Sequence, residues 1–157
     1  MRGRSYTIAA VVQRLAGDDG VLIAHGDRHA GYALRIEQGH LVHDYVHAGV
    51  HSTTRSSLAL PTGRDTTAEV RIRRTGASAL VELWVDGAEV GRGAIPQLAR
   101  ARVGYTGVDL GCDRGLTVGG YPQPAQFSGL LRYVDVTVED DQWLDEAAIL
   151  DIEGSTG

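Results

Sequence analysis

The sequence predicts an all-β fold, a sandwich or barrel of short antiparallel strands within one domain. Three observations point there. Apolar residues recur with period two along most of the chain, the spacing that places every second side chain on one face of a strand. Turn signals built on Gly and Asp interrupt these stretches every eight to twelve residues or so, as in a sandwich or barrel. The 21 glycines suit tight turns better than helices. About ten to twelve short strands are expected, and 157 residues suffice to bury a real core in one domain.

The elements follow in order. Tyr32, Leu34 and Ile36 alternate with Ala33, Arg35 and Glu37, and Gln38-Gly39 turns the chain into His40–Val46 as a hairpin partner. Ala68, Val70 and Ile72 alternate with Glu69, Arg71 and Arg73, a strand with one wet face. After a turn at Thr75-Gly76, Ala79, Val81, Leu83 and Val85 alternate with Leu80, Glu82 and Trp84. Asp86-Gly87 is a two-residue hairpin signal leading into Glu89–Gly93. Leu130–Val138 is partly apolar on both faces, which suits a long central strand. Residues 1–138 thus make the sandwich. Residues 139–157 form an acidic tail with one short helix candidate, Trp143–Leu150.

Charge narrows the function classes. Of the net −5, the tail supplies seven acids and no Arg, so the body is close to neutral. A nucleic-acid binder tracks phosphates with a basic face, and none is evident. No apolar run of about 18 residues marks a membrane span, and no secretory signal follows Met1–Ser5. The lone Cys112 has no partner for an intrachain disulfide. A soluble, cytoplasmic protein is the expectation.

Three stretches carry a resemblance. They are Gly20–Gly26 continuing through Gly31–Leu34 to Gly39–Tyr45, then Leu83–Gly87 with Val90–Pro96, then Val108–Gly115 with Phe127–Leu131. In order and spacing they are similar to the C-terminal domain of bacterial arylsulfatases, a jelly-roll sandwich of the concanavalin A/laminin G-like kind. In those enzymes the sulfate chemistry belongs to a separate α/β domain. Its Cys/Ser-x-Pro-x-Arg motif does not occur here: Cys112-Asp113-Arg114-Gly115-Leu116 lacks the Pro and the spaced Arg. The resemblance therefore implies the fold and a module without sulfatase activity.

Several residues could carry chemistry. His40, His43, His47 and His51 would line one face of a helix, but Gly39 and Gly49 bracket a strand-like segment. On a strand His43 and His47 share a face about 13 Å apart, too far for one metal. With Tyr45 between them they form a polar-aromatic stripe, which His25 or His29 could approach from a neighbouring strand. The predicted ligand groove is His25, His43, Tyr45, His47 and Trp84, the Trp offering a ring for stacking on a sugar; Trp143 is a second such ring. Asp109 and Asp113 sit in a Gly-flanked loop and are the candidate Ca²⁺ ligands, since laminin G-like relatives bind that ion through loop oxygens. No other cofactor is expected. Glu82 and Asp86 lie about 13 Å apart, too far for a retaining glycosidase pair. Asp18-Asp19-Gly20 reads as a solvated loop.

The expected function is a non-catalytic binding or interaction module, its ligand a carbohydrate, another small molecule or a partner protein. The alternative is a small enzyme with His25, His43 and Asp44 as acid-base groups. A third reading is assembly with itself or another chain through an exposed sheet.

Overall fold

A computed structural model of the chain describes residues 5–26, 30–98, 108–112, 118 and 126–139. Ten strands run along them: β1 Tyr6–Gln13, β2 Gly20–Gly26, β3 Gly31–Glu37, β4 His40–His47, β5 Val50–Ala59, β6 Asp65–Thr75, β7 Ser78–Val85, β8 Ala88–Ile95, β9 Val108–Leu110 and β10 Leu130–Val138. They form two five-stranded antiparallel sheets, β10-β1-β6-β7-β8 and β5-β4-β3-β2-β9. This is the laminin G/concanavalin A-like jelly-roll sandwich that the resemblance implied.

Alternation decides which side chains meet between the sheets. Ile8, Ala10 and Val12 of β1, Ala68, Val70 and Ile72 of β6, and Ala79, Val81 and Leu83 of β7 all point inward. They pack on Leu22, Ile23, Leu34, Ile36 and Leu41 of the second sheet in one apolar cluster. Each of the larger side chains gains about 1.5–3 kcal/mol from leaving water. A smaller cluster, Val21, Ala24, Ala33, Val46 and Val118, lies on the outer side of the second sheet.

Three two-residue turns fix the register. Gln38-Gly39, Ala48-Gly49 and Asp86-Gly87 have positive φ at both positions (51° and 81°, 50° and 79°, 49° and 82°). These are the turns whose twist matches the strands they join. The first pairs Arg35 with Val42 and Ala33 with Asp44, and the second pairs Asp44 with Thr53 and His47 with Val50.

On one side of the sandwich the edge strands β5 and β8 close against each other. A Cβ at Gly93 would overlap Thr54 Oγ1, and one at Gly91 would come within 3.0 Å of the Arg55 carbonyl oxygen. The Ser57 hydroxyl donates to the Val90 carbonyl across the same seam at 3.0 Å. Bare glycine backbone is what lets the two sheets approach here.

Leu130–Val138 does not take the expected central place. Among the described residues it is, as β10, an edge strand paired with β1 alone, and Leu130, Tyr133, Val136 and Val138 stay 49%, 60%, 40% and 40% exposed. Alternation reports which faces are apolar, and is silent on whether a strand is hydrogen-bonded on both edges. The helix candidate Trp143–Leu150, His29 and Asp113 lie outside the described residues.

Candidate functional site

At one end of the sandwich a polar-aromatic row crosses the inner face of the second sheet. His25, Tyr32, Tyr45 and Ser52 lie opposite one another on β2, β3, β4 and β5. The His25 ring meets Tyr32 edge-on at 5.7 Å, and the Tyr6 ring lies tilted against Tyr32 at 5.9 Å. Burial pushes the Tyr32 phenol up to about 12, so it remains a neutral donor and acceptor.

Beyond this row the β4–β5 hairpin ends at Ala48-Gly49, and the chain leaves β8 through Ile95, Pro96 and Gln97. Between them opens a cavity of about 240 Å³. Ala48, Val50, Ile95 and Pro96 give it apolar walls, while Tyr45, His47, Ser52 and Gln97 supply polar atoms. The His47 Nδ1 is buried there without a hydrogen-bond partner among the described residues. Apolar walls with a few convergent polar groups are the composition of a small-molecule site.

The five groove residues do not line one surface. Tyr45 and His47 reach the cavity, and His25 lies two strands away, against Tyr32. His43 shares their face, as the alternation requires, but sits deeper, paired with Leu34 and Thr54 and only 1% exposed. Burial pulls its pKa down to about 4 against the opposing pull of Asp44. It is a neutral core side chain, 3.5 Å from the Tyr6 hydroxyl. Trp84 belongs to the other sheet, on its outer face opposite Glu69, with the Arg71 guanidinium stacked 4.1 Å above its ring.

Asp44 is also fully buried, yet on the outer side of the second sheet. Its carboxylate accepts from Arg35 Nε at 2.6 Å, from His51 Nε2 at 2.9 Å and from the Thr53 hydroxyl at 3.0 Å. Burial alone would raise its pKa; the Arg35 hydrogen bond and charge, with the two other donors, hold it below the usual range. His51 is 38% exposed. His43 and Asp44, neighbours in sequence, thus face opposite sides of one sheet and cannot act on one substrate; His25 is on the side of His43. Arg35 and Thr53 carry no signal of their own in the sequence, and His51 enters only through a helical spacing that the strand excludes, although the two glycine turns already place Arg35 diagonal to Asp44 and Thr53 opposite it.

Asp109 lies on β9 opposite Ala24 and is buried. With Asp113 outside the described residues, the calcium loop has one placed member. Among the described residues no three His, Cys, Asp or Glu side chains gather as a metal site, and no helix is long and apolar enough to cross a membrane. Asp19 serves structure: its carboxylate accepts the backbone N–H groups of Gln38 and Gly39 at 2.8 and 3.0 Å.

The model of the Laminin G domain family matches residues 14–139. No curated protein matches the chain in sequence. Among solved structures, it is similar to the CBM40 of the Ruminococcus gnavus IT-sialidase bound to alpha2,3 sialyllactose, with 14% identity over 96% of this chain and 83% of that one, at a TM-score of 0.66. It is similar to domains LG4-5 of the mouse laminin alpha1 chain, with 16% identity over 88% of this chain and 37% of that one, at 0.61. It is also similar to the native heptameric SAP-like pentraxin of Limulus polyphemus, with 13% identity over 90% of this chain and 66% of that one, at 0.56. At such identities the likeness concerns the fold alone.

Proposed function

Since the chain belongs to the Laminin G domain family, we propose that it is a non-catalytic carbohydrate-binding module whose ligand enters the cavity beside Tyr45 and His47. The cavity carries this reading. Its volume of about 240 Å³ suits one sugar residue better than the larger ligands that fill pockets of about 300–1,000 Å³. The apolar walls can receive the C–H face of a pyranose, and Tyr45, His47, Ser52 and Gln97 can exchange hydrogen bonds with its hydroxyls. The CBM40 neighbour, bound to a sialyllactose, supports a sugar as the class of ligand. Within the family we place the chain among arylsulfatase C-terminal domains, on the strength of the three stretches from Gly20 to Leu131.

The test is a glycan array followed by calorimetry on the whole chain. His47→Ala and Gln97→Ala should each weaken binding about tenfold, the equivalent of about 1.4 kcal/mol. Val50→Trp, at an exposed wall position, should fill the cavity and abolish binding, while Trp84→Ala should leave it unchanged. Binding that survives Val50→Trp moves the site elsewhere. Absence of binding to any glycan favours a partner protein as the ligand.

A second reading, a small enzyme, draws on Asp44 and His51. A buried ionised carboxylate fixes one imidazole nitrogen and leaves Nδ1 of a part-exposed ring as acceptor, the arrangement of a general base. Turnover of a bound glycan that is lost in His51→Gln would favour it.

A further inference from the structure

Among the described residues, nothing pairs with the outer edge of β10. β10 pairs with β1 along its whole length, and no residue from Leu130 to Val138 has a second strand partner among the described residues. Nine residues of open edge, with Leu130, Tyr133, Val136 and Val138 between 40% and 60% exposed, are a template for another strand. Natural proteins guard such edges with lysine, proline or an inward charge; β10 has no Lys or Pro, and its two charges, Arg132 on Asp65 and Asp135 opposite Ala9, lie on the outer face. Its one bulge, opposite Val11 and Val12, lies at the Leu131–Tyr133 end and leaves Val134–Val138 regular.

Which backbone groups point outward follows from one hydrogen bond. The Glu139 N–H donates to the Ser5 carbonyl at 2.8 Å, so Glu139 directs its backbone toward β1. In an antiparallel ladder this direction alternates residue by residue. Thr137, Asp135 and Tyr133 therefore also face β1, and Val134, Val136 and Val138 present their N–H and C=O groups to the open side.

We propose that β10 pairs antiparallel with β10 of a second copy of this chain, about a two-fold axis at Val136. The pairing joins two five-stranded sheets into one continuous sheet. Val136 then faces Val136 of its mate, and Val134 faces Val138 twice over. All three are hydrogen-bonded pairs built from the outward-pointing groups. On the inner side a valine row runs unbroken across the axis. On the outer side Asp135 meets Thr137, and Tyr133 meets Glu139. A register centred on Asp135 would set two carboxylates directly opposite each other, which is destabilising, and would offer backbone groups already used by β1. The strand is thus complementary to itself about Val136, which is why a second copy, not an unrelated strand, is the occupant.

Sedimentation velocity on the whole protein over a concentration series tests this. The expected result is a reversible monomer–dimer equilibrium that Val136→Lys abolishes while the thermal midpoint at high dilution stays unchanged. Should Val136→Lys fail to fold, Val136→Cys in a Cys112→Ser background gives the answer: facing residues of such a pair have Cα atoms about 5.5 Å apart, within disulfide range, so oxidation should yield a covalent dimer. A chain that stays monomeric at every concentration overturns the proposal. So does a dimer that persists in Val136→Lys, or one whose Val136→Cys form does not cross-link.

Discussion

At the scale of the residue, His43 and Asp44 show how far two adjacent side chains can diverge. His43 is held neutral in the core, with its pKa near 4 because of burial, whereas an unfolded chain gives histidine its ordinary value of about 6.5. Between those values the unfolded state takes up a proton that the folded state refuses. Stability is therefore intact above pH 6.5 and falls as the pH drops toward 4, by roughly 3 kcal/mol at the lower end. His43→Leu should remove this increment: urea titrations at pH 7 and pH 4 should differ by about 3 kcal/mol less in the variant than in the parent. Equal differences would mean that His43 is charged in the folded state. Much of this was legible, because period two already places His43, Tyr45 and His47 on one face. Whether that face meets solvent or the opposing sheet depends on elements distant in sequence. That unknown turned a predicted groove into one core histidine and two cavity residues.

Elements were read best where a turn names itself. Gln38-Gly39 and Asp86-Gly87 marked their hairpins because both positions need positive φ. β1 did not announce itself: Ala9 and Val11 on its outer side are apolar too, so the contrast between faces is weak. β10 was misplaced for the related reason that pairing partners leave no local trace. The seam between β5 and β8 was equally hidden, since a glycine in a strand looks like a weakness until the opposite backbone is seen. Gly93→Ala should cost roughly 1–3 kcal/mol by forcing the seam apart, because its Cβ would overlap the Thr54 hydroxyl. Combining it with Thr54→Ala should recover part of that loss, and a double-mutant cycle in urea measures the coupling. Additive losses would show that the seam yields elsewhere.

For the whole molecule, the order of the strands matters more than their number. β1 lies between β6 and β10, so Tyr6 sits opposite both Ile72 and Val138. The first sheet cannot close until nearly the entire described chain has emerged and searched. Contacts this remote in sequence make loop closure costly before it is rewarded, and all-β domains dominated by them fold in milliseconds to seconds. Stopped-flow refolding monitored by tryptophan emission should give times of that order, and microsecond folding would contradict the topology. Such a chain has open strand edges during its search, and its net charge of −5 helps keep copies apart in that interval.

The hydrogen bond from Glu139 to Ser5 also makes the domain a nearly closed ring. Its two ends leave side by side at one point of the first sheet, so a short bridge from 139 to 5 would join them without disturbing a strand. The chain could then be reopened at Gly63, whose exposed turn has no neighbour within contact of an added Cβ, giving the same sandwich in a circularly permuted order. For the same reason the domain could be grafted into a surface loop of another protein, since its host would need to part by little more than the spacing of two strands.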